Sequence, residues 1–300
     1  MDLLSIMELK KEDIEGYLSL AAKIKASPEK YRESLKGETL AMVFEKPSTR
    51  TRVSFEVGMT QLGGHAIYLD FTSTQLSRGE SIEDTAKTLE RYVDIIMARL
   101  YKHETLLEIA KHAQVPVING LTDLEHPCQA LSDLLTMKEN GKLKKGAKFA
   151  FVGDCGFNMA NSLLLACSKS GMDVALVCPK GYPPNSEYVE EAMEYAKVDI
   201  FNDPQEGVAG ADVIYTDTWI SMGMEEEKAE RLKAFAPFQV NAALLKHAKK
   251  DAIVMHCLPA HRGMEITDEV IDGKQSVVFD QAENRLHMQK AIMLRLLGKA

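Results

Sequence analysis

The sequence predicts an α/β protein built from two doubly wound domains, each a mainly parallel sheet flanked by helices. Apolar, strand-like runs alternate with helical patterns along the whole chain, the signature of parallel strands joined by crossover helices. The alternation also restarts after "ENGKLKKGAK", a polar turn with two glycines. The chain's 300 residues are enough for two ordinary domains, each with its own core. Together these place one domain over 1–140 and a second over 141–300, the last helix, about 282–298, packing back on the first.

In the first half the strands are expected at "TLAMVF" from 39, "HAIYLD" from 65, "DIIMAR" from 94 and "VPVING" from 115. Helices are expected near 51–62, 81–92, 103–113 and 129–139. Ser81 followed three residues later by Asp84 comes close to a capping box. In the second half the strands are "KFAFVGD", "DVALVCP", "DVIYTD", "AIVMHCLP" and "VVFDQ". Helices are placed near 158–170, 186–196, 226–235, 241–249 and 282–298. Two such domains suggest a cleft between them, with ligands beyond the carboxyl ends of strands.

Composition narrows the function. The chain is 45% hydrophobic and 27% charged, ordinary for a soluble globular protein. Its net charge of −8 and lack of a basic block argue against nucleic acid or an anionic membrane as partner. No apolar run reaches membrane-spanning length, and the charged start suits neither a signal nor a transit peptide. Five dispersed cysteines without a C-x-x-C pair suggest reduced thiols and a cytoplasmic location.

Polar residues interrupt the strand ends in six loops: "PSTRTR", "TSTQLSRGES", "MARLYKH", "EHPCQA", "TDTWISMG" and "MHCLPAHRG". In the first, Ser48 or Thr49 suits a helix N-cap. Arginines that early in a helix oppose its dipole unless an anion sits there, so the stretch equally suits a small phosphate site. "EHPCQA" reads as a plain turn, or as His126 and Gln129 donating to a carbonyl from one helical turn. Cys257 is either a buried thiol after a strand or a nucleophile, and the spacing of His256, Cys257 and His261 is not that of a zinc site. Asp217 either caps its loop or meets a ligand amine. "GDCGFNMANS" lacks G-x-G-x-x-G, which argues against nicotinamide binding, and Asn158 there is a cap or a polar hand for a ligand's head group.

Taken together, "FEKPSTRTR", "HPCQ", "DTWISMG" and "HCLPAHRG", in this order over nearly the whole chain, resemble the aspartate/ornithine carbamoyltransferase family, and "SMG" with "HCLP" point to its ornithine branch. Cys128 within HPxQ and Thr218 where valine is frequent depart from the usual wording at positions without chemistry. The resemblance implies that Ser48, Thr49, Arg50 and Thr51 hold carbamoyl phosphate, joined by Arg99, His126, Gln129 and Arg285. It implies that Gln75 reaches a neighbouring subunit's site in a homotrimer. Asn158, Asp217, Ser221 and Met222 match the ornithine positions, and Cys257 and Leu258 the catalytic loop, which also borders carbamoyl phosphate. No metal or organic cofactor is expected. Carbamoyl phosphate and L-ornithine would yield citrulline and phosphate in arginine metabolism.

The residue types suit that chemistry. An amine with a lysine-like pKa of ~10 must lose a proton before it attacks. Asp217 and Cys257 can orient it, and Thr51, Arg99 and His126 can stabilise the developing oxyanion. Aspartate as acceptor would call for cations where "TDTWISMG" offers an acid, and putrescine lacks the amino-acid head that "SMG" and Asn158 would serve.

Overall fold

The computed structural model describes residues 1–220 and 225–300. Ser221 and Met222, expected at the ornithine positions, lie outside the described residues. The chain forms two compact units, one comprising 1–135 with 283–300 and the other 136–282.

The first unit opens with α1 (Lys11–Ala26), which buries Ile14, Tyr17, Leu18, Ala21 and Ile24 at helical spacing. There follow β1 (Thr39–Phe44), α2 (Thr49–Gln61), β2 (His65–Asp70), α3 (Ile82–Leu89), β3 (Ile95–Arg99), α4 (His103–His112), β4 (Val117–Leu121) and α5 (Pro127–Glu139). The strands are parallel, in the order β2-β1-β3-β4. β1 and β3 lie at the centre and are buried along almost their whole length, as near-continuous apolar strands of a parallel sheet should be. Ser81 caps α3 by accepting from the Asp84 N–H at 3.0 Å.

The second unit contains β5 (Lys148–Val152), α6 (Asn158–Lys169), β6 (Asp173–Val177), α7 (Ser186–Met193), β7 (Val198–Phe201), α8 (Pro204–Val208), β8 (Val213–Thr216), α9 (Lys228–Phe235), α10 (Ala242–Leu245), β9 (Ile253–His256) and α11 (Asp268–Ile271). Its parallel sheet has the order β7-β6-β5-β8-β9. Phe151 stacks on Tyr215 with ring centroids 5.8 Å apart, tying β5 to β8. The final helix, α12 (Val278–Leu296), starts in this unit and ends in the first. Within the first unit its Arg295 bonds to Asp13 at 2.5 Å and lies over the Tyr17 ring, so it packs on α1.

One expected strand is absent. "VVFDQ" forms only the approach to α12: Ser276 makes an isolated bridge to Val254, Val277 N–H donates to the Val254 carbonyl, and Val278 begins the helix. Two adjacent valines are too short a β signal to outweigh a 19-residue helix with Asp280 in its first turn.

Each strand order reverses once, between β1 and β3 in the first sheet and between β5 and β8 in the second. In open α/β sheets, loops leaving the strand ends at such a reversal diverge and leave a crevice. At the first reversal stand the loop to Ser48 and Arg99, the last residue of β3. At the second stand the "GDCGFN" loop and Asp217.

Candidate active site

The first unit gathers cations around the N-terminus of α2. Ser48 is its N-cap, in extended conformation, and its Oγ accepts from the Thr51 N–H at 3.3 Å. Thr51 is buried, and its hydroxyl accepts from Arg285 Nη2 at 3.2 Å and Arg99 Nη1 at 3.4 Å. Arg285 Nη1 also donates to Gln129 Oε1 at 2.6 Å, and Arg99 Nε to the Lys46 carbonyl at 3.2 Å. Thus α2, β3, α5 and α12 each deliver one part of a single network.

His126, at the mouth of α5, reports the charge of that network. Burial, then the positive charges of Arg285, Arg99, Lys46 and Arg50, hold its pKa well below the ordinary imidazole value. The ring is therefore neutral at physiological pH and can donate one N–H. Cys128, between His126 and Gln129, is pushed up to about 12 by burial and stays a thiol, donating to the Asn119 carbonyl at 3.3 Å. Four cations, a helix N-terminus and several hydroxyl and amide groups gather here, a combination whose chemistry suits an anion.

The six expected residues Ser48, Thr51, Arg99, His126, Gln129 and Arg285 fall in this one cluster, with Arg50 close enough to bear on His126. Thr49 is exposed at the first position of α2. Arg52 faces elsewhere, its guanidinium 4.1 Å from the Tyr68 ring and paired with Glu56 at 3.3 Å. Gln75 opens an exposed single turn after β2, and among the described residues no hydrogen bond joins it to the cluster. Lys46 was not among the expected residues, although it precedes Pro47 in the same motif.

The second unit brings three strand ends together. Asp217, just past β8, accepts through Oδ1 from the Thr218 N–H at 2.7 Å and from Cys257 Sγ at 3.0 Å. Asn158 is the buried first residue of α6, beyond the end of β5. The loop before it needs a glycine: a Cβ on Gly156 would fall 2.9 Å from the Pro183 carbonyl oxygen.

Two polar devices behind these residues escaped sequence reasoning. His256 Nδ1 accepts from the Leu258 N–H at 2.9 Å, so its proton is on Nε2, which faces Glu265 Oε1 at 3.1 Å. This holds Leu258 in a left-handed conformation, φ 57°, next to a cis Pro259. Arg231 Nε donates to the Trp219 carbonyl at 2.6 Å and its other end pairs with Asp154, tying the loop after β8 to the loop after β5. Glu265 and Arg231 are charged side chains on helical or loop segments with no motif of their own, so only their burial exposes the role.

Asp217, His256 and Cys257 place one donor atom each within 4.8 Å of one another. Both nitrogens of His256 are already engaged, which leaves two ligands and does not fit a bound metal.

Residues 1–139 match the family model described as the carbamoyl-P binding domain of aspartate/ornithine carbamoyltransferase, and residues 145–296 match its Asp/Orn binding domain. The chain is 56% identical over 302 residues to the ornithine carbamoyltransferase of Archaeoglobus fulgidus, covering 99% of this chain and 97% of that protein. It is 54% identical to that of Bacillus subtilis over 99% of this chain and 94% of the relative. The solved ornithine carbamoyltransferase of Pyrococcus furiosus superposes with a TM-score of 0.94 at 52% identity, covering 99% and 97% of the two chains. The anabolic enzyme of Campylobacter jejuni does so with a TM-score of 0.94 at 42% identity, covering 100% and 99%.

Proposed function

The chain belongs to the aspartate/ornithine carbamoyltransferase family, and from that premise we infer that it moves the carbamoyl group of carbamoyl phosphate to the side-chain amine of L-ornithine. The products are L-citrulline and phosphate. The observation that carries the donor half is the convergence of Arg50, Arg99, Arg285 and Lys46 on a neutral His126 beside the N-terminus of α2.

In this reading Ser48, Thr49, Arg50 and Thr51 bind the phosphate, with Arg99 and Arg285. Thr51, Arg99 and the N–H of His126 face the carbonyl oxygen and stabilise the charge that grows on it. Gln129, Cys257 and Leu258 border the carbamoyl group. Ornithine's amine meets Asp217, while Asn158, Ser221 and Met222 take its α-amino and α-carboxylate end. The amine nitrogen forms the new bond to the carbonyl carbon, the C–O bond to phosphate breaks, and the departing phosphate takes the amine's proton. Positioning and electrostatics account for the rate without a cofactor.

The same reading makes the active form a homotrimer in the cytoplasm, with Gln75 completing a neighbouring subunit's site, and assigns it to arginine biosynthesis. No helix among the described residues is long and apolar enough to cross a membrane. Citrulline formation from carbamoyl phosphate, compared for ornithine, putrescine and aspartate, tests the assignment. Ornithine is expected to be fastest by a wide margin, and faster carbamoylation of either rival overturns it.

A further inference from the structure

The side-chain amide of Gln129 has two different ends, and the fold commits each to a different neighbour. Its Nε2 donates to Asp133 Oδ1 at 2.8 Å, and its Oε1 accepts from Arg285 Nη1 at 2.6 Å. Asp133 lies one turn further along α5 and is fully buried; Gln129 and Arg285 are buried as well. A guanidinium can only donate and a carboxylate can only accept. Turning the amide over would point its NH2 at Arg285 and its oxygen at Asp133, converting two favourable contacts into two repulsive ones.

We propose that Asp133 is a positioning residue that locks the amide of Gln129, so that an oxygen and never an NH2 is presented beside Arg285 and Thr51. This rests on the reading that Gln129 borders the carbamoyl group. One lone pair of Oε1 is used by Arg285, and the second is left for a donor. The carbamoyl group carries an N–H2 that can supply it. An acyl phosphate with a methyl group in that place, acetyl phosphate, cannot. Asp133 therefore serves discrimination: it makes the site select an acyl phosphate that ends in an amide. Phosphate itself needs neither end of Gln129.

The test compares wild type with Asp133→Ala and Asp133→Asn. The readouts are KM for carbamoyl phosphate and the inhibition constants of acetyl phosphate and inorganic phosphate. In wild type, acetyl phosphate should bind more weakly than carbamoyl phosphate. Asp133→Ala should shrink that ratio about tenfold, the value of a hydrogen bond in a charged, buried network. Its phosphate inhibition constant should stay within about twofold of wild type, because only interactions with the carbamoyl end are lost. Asp133→Asn should keep the ratio, since asparagine's oxygen accepts the same bond.

An Asp133→Ala enzyme that keeps the ratio, or weakens phosphate by the same factor, overturns the proposal. Should that variant not fold, the Gln129 side-chain amide of wild type decides by 15N NMR. Slow exchange of its protons with solvent is expected, and a rapidly exchanging pair overturns the lock. A wild-type enzyme that makes no citrulline would instead refute the functional reading, while the amide resonances would still test the lock.

Discussion

The Cys257 thiol donates to Asp217 Oδ1 across 3.0 Å, joining the ends of β9 and β8. A carboxylate held this way is aimed rather than free to rotate, and among the described residues no hydrogen bond takes its other oxygen. Asp217→Asn should therefore lower kcat for citrulline formation by about 10²–10³-fold while changing ornithine KM far less. For wild type, kcat/KM for ornithine should climb with pH toward the amine's pKa of ~10. Cys257→Ser, which retains a donor, should lose less than Cys257→Ala. Steady-state rates between pH 6.5 and 9.5 check all three, and a fully active Asp217→Asn would remove Asp217 from the mechanism.

Arg50 and Arg52 are two residues apart, but only Arg50 adds its charge to the field around His126. Arg52 is occupied by Tyr68 and Glu56. Arg50→Ala should weaken carbamoyl phosphate by about tenfold to a hundredfold, the range for a charge-assisted bond. Arg52→Ala should stay within about threefold, as exposed pairs contribute little. Subsaturating kinetics in carbamoyl phosphate distinguishes them; equal losses would be fatal to this division of labour.

His126 should not titrate in the working range. Burial and four neighbouring cations depress its folded-state pKa, whereas the unfolded chain returns it to about 6.5. Below that pH the unfolded chain binds a proton that the folded protein refuses, so this group costs stability as pH falls through 6.5 and costs nothing above it. NMR of the imidazole Cε1–H should show no titration midpoint in the ordinary imidazole range. The thermal midpoint of His126→Gln should drop less than that of wild type between pH 7 and 5.5. A His126 midpoint near 6.5 would contradict the electrostatics of the cluster.

Gln75 sits on an exposed loop, and among the described residues no hydrogen bond joins it to its own unit's cluster. If each site takes Gln75 from one subunit and Arg50 from the next, two inactive chains can complement. Equal mixing of Gln75→Ala and Arg50→Ala trimers should return about a quarter of wild-type activity, because a cyclic trimer makes each contact once per neighbouring pair. Mixed trimers as inactive as their parents would place Gln75 outside the site.

The sequence made visible what lies at strand ends, because the residue after a parallel strand is fixed by local pattern and topology together. Asp217, Cys257 and the Ser48–Thr51 stretch were legible for that reason. Arg285 was bland in its own surroundings, mid-helix, and its place beside Gln129 is set by a contact 156 positions away. Asp133, Glu265 and Arg231 were illegible for another cause: their partners Gln129, His256 and Trp219 are near in sequence, but each acts through its burial, which no local motif marks. The misread "VVFDQ" shows the opposite failure, in which a strong local β preference gives way to a longer helix. The helix α1 carries its apolar residues at helical spacing, so it is legible from periodicity alone.

The membership of residues 283–300 in the first unit gives the protein a schedule. During synthesis, Gln129 emerges long before Arg285, which is 156 positions later, and at ~5–20 residues per second the interval is roughly 10–30 s. Throughout that interval the first sheet can form, yet its anion cluster lacks Arg285 and α1 lacks the helix that carries Arg295. A growing chain thus holds this cluster unfinished until Arg285 and the helix that carries it have been made.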